Sequence, residues 1–310
     1  MQDNFSVITM FTLSGVSGAR SYRLTLFVLT FFFYCVIWLV NMTIIVTIIV
    51  DKSLHQPMYI FLCNLCVNGL YGTAGFYPKL LKDLMSTANI ISYTGCLLQG
   101  FVLHSSACAD FSLLALMAYD RYVAICRPLV YSSVMTKQRV GVLVFIAWLI
   151  PFYLMFMSTV TTSSLRLCGS HIPKIYCVNF LVGRLACSFS IVMIILPAFN
   201  YTFYFCHVLF VVWSYSYLIK TCLKSQENRS KFVQTCLPHL LCLLVVVGSL
   251  LFDLLYMRFG SKKLSQSAQN FMSTEFIIVP PVLNPLIYGL KLTQIRNRVK
   301  GFLCGKHLRT

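Results

Sequence analysis

The stretch "MAYDRYVAIC", residues 117 to 126, sets Asp120 and Arg121 side by side after an apolar run. Neighbours on a helix point about 100° apart, yet a long arginine can fold back onto the acid beside it. At a partly dry boundary such a pair gains more than an exposed ion pair does. Two readings follow: a static ion pair at a helix end, or one arrangement of a two-state element that opens when the pair breaks. One further acid, Asp110, lies three helical turns before Arg121 inside the same apolar run. A carboxyl in that position is costly and so points to function: a sodium ion held together with Asn41 and Asn284, or a protonated, hydrogen-bonded acid. Cys63 and Cys66 form a CxxC within an apolar run, a poor setting for a metal or redox centre. No paired acids and no His-rich cluster stand at spacings that catalysis would use, so an enzyme is not expected.

These residues sit in a chain of 310 residues that is 58% apolar and 11% charged. A soluble domain usually carries about 25% charged residues. So few charges cannot cover a water-exposed surface, and mean hydropathy is +0.78. About 20 residues of helix cross the hydrocarbon of a bilayer. Seven apolar runs meet or approach that length: 24–50, 56–78, 97–119, 140–165, 185–219, 232–252 and the shorter 276–290. The fifth is longer than a span requires, so its start is expected outside the membrane. The spans hold one firm acid and no firm base, which disfavours a transporter or channel. The first run is too long for a cleavable signal core and is expected to stay as the first span.

The net charge is +17. In a soluble protein that would suggest nucleic acid. Here the bases lie in short loops, where they read as orientation signals and contacts to anionic lipid, and no nucleic-acid partner is expected. Loops 51–55, 120–139 and 220–231 with the tail from Lys291 hold 15 of the 25 Lys and Arg, which places the C-terminus in the cytoplasm. The N-terminus is then extracellular, in agreement with a glycosylation sequon at Asn4. Of 14 cysteines, Cys96, Cys168, Cys177 and Cys187 fall on the outer side, an even number that favours bridges. Spacing leaves the three possible pairings open. The sequence divides into an outer N-terminus (1–23), a membrane domain (24–290) and a cytoplasmic amphipathic segment and tail (291–310). The expected fold is an all-α membrane protein: a seven-transmembrane helix bundle with a short amphipathic eighth helix. Gly69, Gly72 and Gly75 along the second span read as packing positions.

Several motifs come in a fixed order: Asn41 in the first span, "LHQPMYIFLCNL" (54–65), "MAYDRYVAIC", Trp148, "SYSYLIKT" (214–221), "KFVQTCLPHLL" (231–241) and "PPVLNPLIYGLK" (280–291). Together they resemble the rhodopsin-like G-protein-coupled receptors, and specifically the odorant receptors among them. The resemblance covers nearly the whole chain. The stretches "NGLYGTAGFYPKLL" (68–81) and "FCHVLFVVWSYSYLIKTC" (205–222) look most similar to odorant receptors of fishes.

The resemblance implies a receptor for a small-molecule odorant that activates a heterotrimeric G protein of the olfactory Gs type and raises cyclic AMP. It implies a multi-pass protein of the plasma membrane in the cilia of olfactory sensory neurons. A non-olfactory rhodopsin-like receptor for another small molecule is the alternative. Bridges Cys96–Cys177 and Cys168–Cys187 are implied. The switch would comprise Asp120, Arg121, Tyr122, Tyr215, His239, Asn284, Pro285 and Tyr288. The proline creates a weak point in the seventh helix, and Tyr215 faces Tyr288 across the bundle. The odorant would lie in the outer half between the third, fifth, sixth and seventh spans. Its candidate contacts are Leu103, His104, Ala107, Cys108, Asn200, Phe203, Leu250, Leu251, Leu254, Thr274 and Ile277, and core packing accounts for each equally well. His104 is the foremost polar candidate, because a neutral imidazole both donates and accepts.

Two positions depart from the family pattern. Val247 stands where an aromatic is usual, so either another residue links the pocket to the switch or the coupling differs. Gly69 stands where many relatives carry an acid, with Asn68 before it. In the tail, Ile295, Val299, Phe302 and Leu303 recur at helical spacing and read as a helix lying on the inner leaflet. Cys304 in that segment is either palmitoylated or a free thiol. No cofactor is expected beyond the allosteric sodium.

Overall fold

The computed structural model describes residues 8–14, 22–86, 88–188, 191–222, 240–249, 266–291 and 296–298. Long apolar helices dominate: α1 (Arg23–Val50), α2 (Pro57–Met85), α3 (Tyr93–Cys126), α5 (Lys137–Ser163), α7 (Val192–Cys222), α8 (Leu240–Ser249) and α9 (Gln266–Lys291). Two short helices, α4 (Tyr131–Val134) and α6 (Asn179–Gly183), lie in connections. By length and composition α1, α3, α5 and residues Met193–Thr221 of α7 can cross a membrane, and α8 and Ile277–Ile287 are shorter apolar stretches. The ends carry ordinary stop and start signals. Pro57 opens α2, Ser92 Oγ accepts from Gly95 N at 3.1 Å to cap α3, and Thr136 Oγ1 accepts from Arg139 N to cap α5.

α3 is the axis. Its apolar window is 78% buried, against 33% for α1 and 28% for α5. It packs on α2, α5 and α7. The outward faces of α1 and α7 show Phe31, Phe32, Leu39, Phe205 and Trp213. Such faces suit hydrocarbon as the surrounding solvent, where apolar surface has nothing to lose by exposure.

The glycines of α2 set how closely the helices approach. A Cβ on Gly72 would stand 2.3 Å from Ser106 Oγ, one on Gly75 2.6 Å from Val102 Cγ1, and one on Gly69 3.3 Å from Pro281 Cβ. The expected packing role is seen: α2 lies against α3 and α9 with no room for side chains at these points. Trp148 Nε1 donates to Asn64 Oδ1 at 3.0 Å and ties α5 to the far side of α2.

The strictly all-α expectation needs correction. Strand β1 (Met10–Leu13) lies between β2 (Ile90–Ser92), antiparallel, and β3 (His171–Ile172), parallel. Phe11 and Leu13 point inward, and Phe11 is fully buried. Pairing satisfies backbone groups that a loop roofing an apolar bundle would otherwise leave bare. Residues 10–13 are thus part of the folded body at this end. Two bridges sit here as well, Cys96–Cys177 and Cys168–Cys187. The first anchors the loop to the top of α3, and the second closes the loop on itself.

Element boundaries also move. α3 runs to Cys126, past the end of its apolar run, so Asp120 and Arg121 lie inside the helix. α7 starts at Val192, so residues 185–188 and 191 lie outside the helix of the fifth span, as its excess length suggested. Residues 296–298 are helical, and the remainder of the expected eighth helix lies outside the described residues, as does Asn4.

The glycine contacts generate a test. Gly72→Val should lower folded protein at the cell surface and its melting temperature, consistent with an overpacking cost of about 1–3 kcal/mol. Gly141→Val, where a Cβ meets nothing within 4 Å, should change neither.

Candidate functional site

At one end of α3 the Asp120–Arg121 pair is closed. Asp120 is fully buried. Arg121 Nε donates to Asp120 Oδ2 at 3.0 Å, and Nη2 reaches the same oxygen. The other carboxylate oxygen accepts from the Tyr131 hydroxyl at 2.8 Å. Burial, and then the neighbouring Asp120 carboxylate, push the Tyr131 phenol well above its ordinary range, so it stays a donor. Tyr131 was not foreseen. It sits in α4, eleven residues from Asp120, and only the turn after α3 brings it back.

Tyr122 packs its ring on Trp213 and Tyr217 of α7, at 5.6 and 5.5 Å between centroids, with the Arg127 guanidinium 5.8 Å from its ring centre. Tyr215 is buried on the same helix. In α9, Asn284 and Pro285 are buried, and Asn284 Oδ1 has no hydrogen-bond partner. Tyr288 lies on α9, but its side chain and the whole of His239 fall outside the described residues. The connection after α1 adds a contact: Arg298 Nε lies 2.7 Å from Asp51 Oδ2, a charge contact rather than an aligned hydrogen bond. The Ser53 hydroxyl holds the Asp51 carboxyl below its usual range, with the Ser53 N–H and Arg298 adding to it.

Asp110 is buried at the middle of α3. Asn68 Nδ2 donates to its Oδ1 and to Ser106 O, each at 2.8 Å. Asp110 and Ser106 border a cavity of about 20 Å³ together with Leu103, Ala107, Ile277 and Pro281. Of the expected sodium ligands, Asp110 borders this cavity. Asn41 Nδ2 donates to Ile37 O and Pro281 O, at 2.8 and 2.9 Å, and holds α1 to α9. Neither Asn41 nor Asn284 borders this cavity. A hard cation needs several converging oxygens. Asn68 Nδ2 holds the carboxylate, while Asn41 Oδ1, Asn68 Oδ1 and Asn284 Oδ1 are buried with no hydrogen-bond partner. Among the described residues no group of three or more His, Cys, Asp or Glu could hold a metal ion.

The larger cavity, about 100 Å³, opens between α3, α5, α6 and α7 near the disulfides. His104, Ser158, Thr161, Thr162, Asn200 and Tyr204 border it. His104 and Asn200 were expected. Leu103, Ala107 and Ile277 instead border the small cavity. Cys108 meets the Tyr204 hydroxyl, Phe203 stacks on His207 at 4.2 Å, and Thr274 is buried away from this lining. Leu250, Leu251 and Leu254 lie outside the described residues. The larger cavity thus leans toward α5 and the loop that carries α6. A sequence signal existed: Thr159, Thr161 and Thr162 interrupt an otherwise apolar run.

Val247 is part-buried against the core, with no aromatic at its position. An aromatic contact does occur between α3 and α7. Tyr204, on the cavity lining, meets Phe111 edge-on at 5.2 Å between centroids.

Comparison with known proteins agrees with this arrangement. The profile of the family described as olfactory receptor matches residues 30–306. Human olfactory receptor 4Q2 is 37% identical over 300 residues, covering 95% of this chain and 93% of that protein. Human olfactory receptor 13D1 is 34% identical, covering 98% and 88%, and mouse olfactory receptor 5M5 is 33% identical, covering 96% and 94%. A full-length match in one family, on a multi-pass helical frame bearing both bridges, leaves one conclusion: the chain belongs to the olfactory receptor family, whose members are G-protein-coupled receptors and not enzymes.

Proposed function

We propose that this protein is an odorant receptor that binds its ligand in the cavity between α3, α5 and α7 and signals at the opposite end of α3. Its bundle has seven spans with the N-terminus outside, and its tail forms a short amphipathic helix on the inner leaflet. Signalling runs through a heterotrimeric G protein of the olfactory Gs type and raises cyclic AMP, at the plasma membrane of sensory cilia. The observation that carries the reading is the shared helix. His104 borders the cavity and Arg121 closes the latch, 17 residues apart on α3. That separation is about 25 Å at 1.5 Å per residue. One rigid element therefore touches both sites.

The latch supplies the two states. With Asp120 holding Arg121 and Tyr131 holding Asp120, the arginine is turned back along its own helix. Releasing it presents a cation to the G protein. A ligand shifts this equilibrium only by binding the released state better. Tyr204, which borders the cavity and meets Phe111 on α3, is positioned to carry that preference where Val247 offers little bulk. Asp110 remains the candidate for a sodium ion or a retained proton, and no step of the switch is assigned to either.

Three outcomes test this in cells expressing the chain with an olfactory G protein. Arg121→Ala should reduce odorant-evoked cyclic AMP to the vehicle level at unchanged surface expression; an unchanged response would remove the latch. Tyr131→Phe deletes one hydrogen bond to Asp120, about 0.5–1.5 kcal/mol, so basal cyclic AMP should rise roughly two- to tenfold. A sodium site at Asp110 predicts that the response of Asp110→Asn loses the sodium sensitivity of the wild type; equal sensitivity in both rules sodium out.

A further inference from the structure

The loop helix α6 touches three long helices, and one side chain ties it to two of them. Asn179 opens α6, is buried, and reaches both α3 and α5. Thr159 Oγ1 donates to Met155 O at 2.8 Å, so its single hydrogen is engaged and the oxygen can only accept. Asn179 Nδ2 donates to that oxygen at 2.9 Å. The orientation of the amide follows, with its nitrogen toward α5 and its oxygen toward α3. The facing residue on α3 is Gly100, where a Cβ would stand 2.5 Å from Asn179 Oδ1. The carbonyl of the same glycine accepts from His104 Nδ1 at 2.9 Å. Asn179 Oδ1 is buried with no hydrogen-bond partner, so the bond to Thr159 is the polar tie of this side chain. At the other end of α6, a Cβ on Gly183 would stand 2.8 Å from Met193 Cε of α7.

Val178, Asn179, Phe180 and Gly183 border the larger cavity, so the seat of α6 fixes the room left for a guest. Given the reading of that cavity as the odorant site, we infer that Asn179 is a positioning residue that sets the upper size of the ligand. The chain just before it is pinned. Cys177 is bridged to Cys96, and its N–H donates to Gln99 Oε1 at 3.0 Å. With the chain fixed there, what remains adjustable is how far α6 swings from α5, and the Asn179–Thr159 bond holds that angle. Thr159 itself does not border the cavity, so it acts through α6. A closely packed wall resists an oversized guest as a core resists overpacking. Once the tie is cut, the wall yields and larger guests enter.

The test uses the purified full chain in lipid nanodiscs with two neutral ketones, cyclopentanone and cyclooctanone, and reads binding as thermal stabilisation. In the wild type the smaller ring should act at a concentration roughly tenfold lower than the larger, the scale of an overpacked contact. Thr159→Val keeps the shape of the side chain and removes the acceptor, and should bring the two rings within about threefold. Thr159→Ser keeps the hydroxyl and should retain the tenfold preference. A general loss of stability would weaken both ketones alike and leave their ratio unmoved. Asn179→Ala should relax the ratio as Thr159→Val does; where it folds poorly, the two Thr159 variants decide. An unchanged ratio in Thr159→Val overturns the assignment, as does a serine variant that behaves like the valine one, or no stabilisation of the wild type by cyclopentanone up to its solubility. Cyclic AMP in cells, read over a panel of neutral volatiles of graded size, separates this claim from the receptor reading. If the ketone ratio moves as expected while the size ranking of active volatiles is the same in Thr159→Val as in the wild type, the role of Asn179 stands and the odorant signals from another cavity.

Discussion

Buried polar groups in an apolar bundle must find partners within the protein, and α3 is where that constraint is concentrated. It is the most enclosed long helix, and it carries His104, Asp110 and Asp120. Each has a specific neighbour: Gly100 O for His104, Asn68 for Asp110, Arg121 and Tyr131 for Asp120. An unpartnered polar group inside costs far more than the net gain of a made hydrogen bond. Those partners therefore dictate how α2, α4 and α3 itself sit. The glycines of α2 are part of the same solution, since only a close approach lets Asn68 reach both Ser106 O and the Asp110 carboxylate.

The disulfide end is organised on a different principle. There the chain leaves the helices and must cover the cavity with irregular backbone. Pairing of β1 with β2 and β3 satisfies part of that backbone, and Phe11 fills the space beneath. The Cys96–Cys177 bridge fixes Val178 and Asn179 beside α3 and α5. Gln99 strengthens the seam, donating to Gly75 O and accepting from Cys177 N at 3.0 Å each. The larger cavity is thus bordered by a loop whose position is covalently set, while the Asp120–Arg121 pair at the other end of α3 is held by charge and hydrogen bonds. That asymmetry suits a molecule that must keep one end shaped and let the other change.

The departures from expectation have a common cause. Helical spacing counted back from Arg121 places Leu103, Ala107 and His104 on adjacent faces, but it cannot tell which neighbouring helix each face meets. Leu103 and Ala107 turn to α9 and the Asp110 cavity, whereas His104 turns to α5 and α7. Partner choice among the buried polar groups is likewise not legible in spacing. Asn41, Asp110 and Asn284 share a polar character and a depth along their helices, but Asn41 bonds to Pro281 O and Asn68 reaches the carboxylate first.

Composition, the lengths of the apolar runs and the order of the motifs determined a multi-pass helical receptor, its family and its four bridging cysteines, because those features are local in the chain. The glycine spacing on α2 likewise foretold close helix contact. Only the tertiary structure decided which polar groups meet: Tyr131 with Asp120, Asn68 with Asp110, Tyr204 with Phe111, and a cavity leaning on the threonines of α5. The reason is geometric. Periodicity fixes which residues share a face, but the rotation and approach of each helix, set by packing against its neighbours, decide what that face touches.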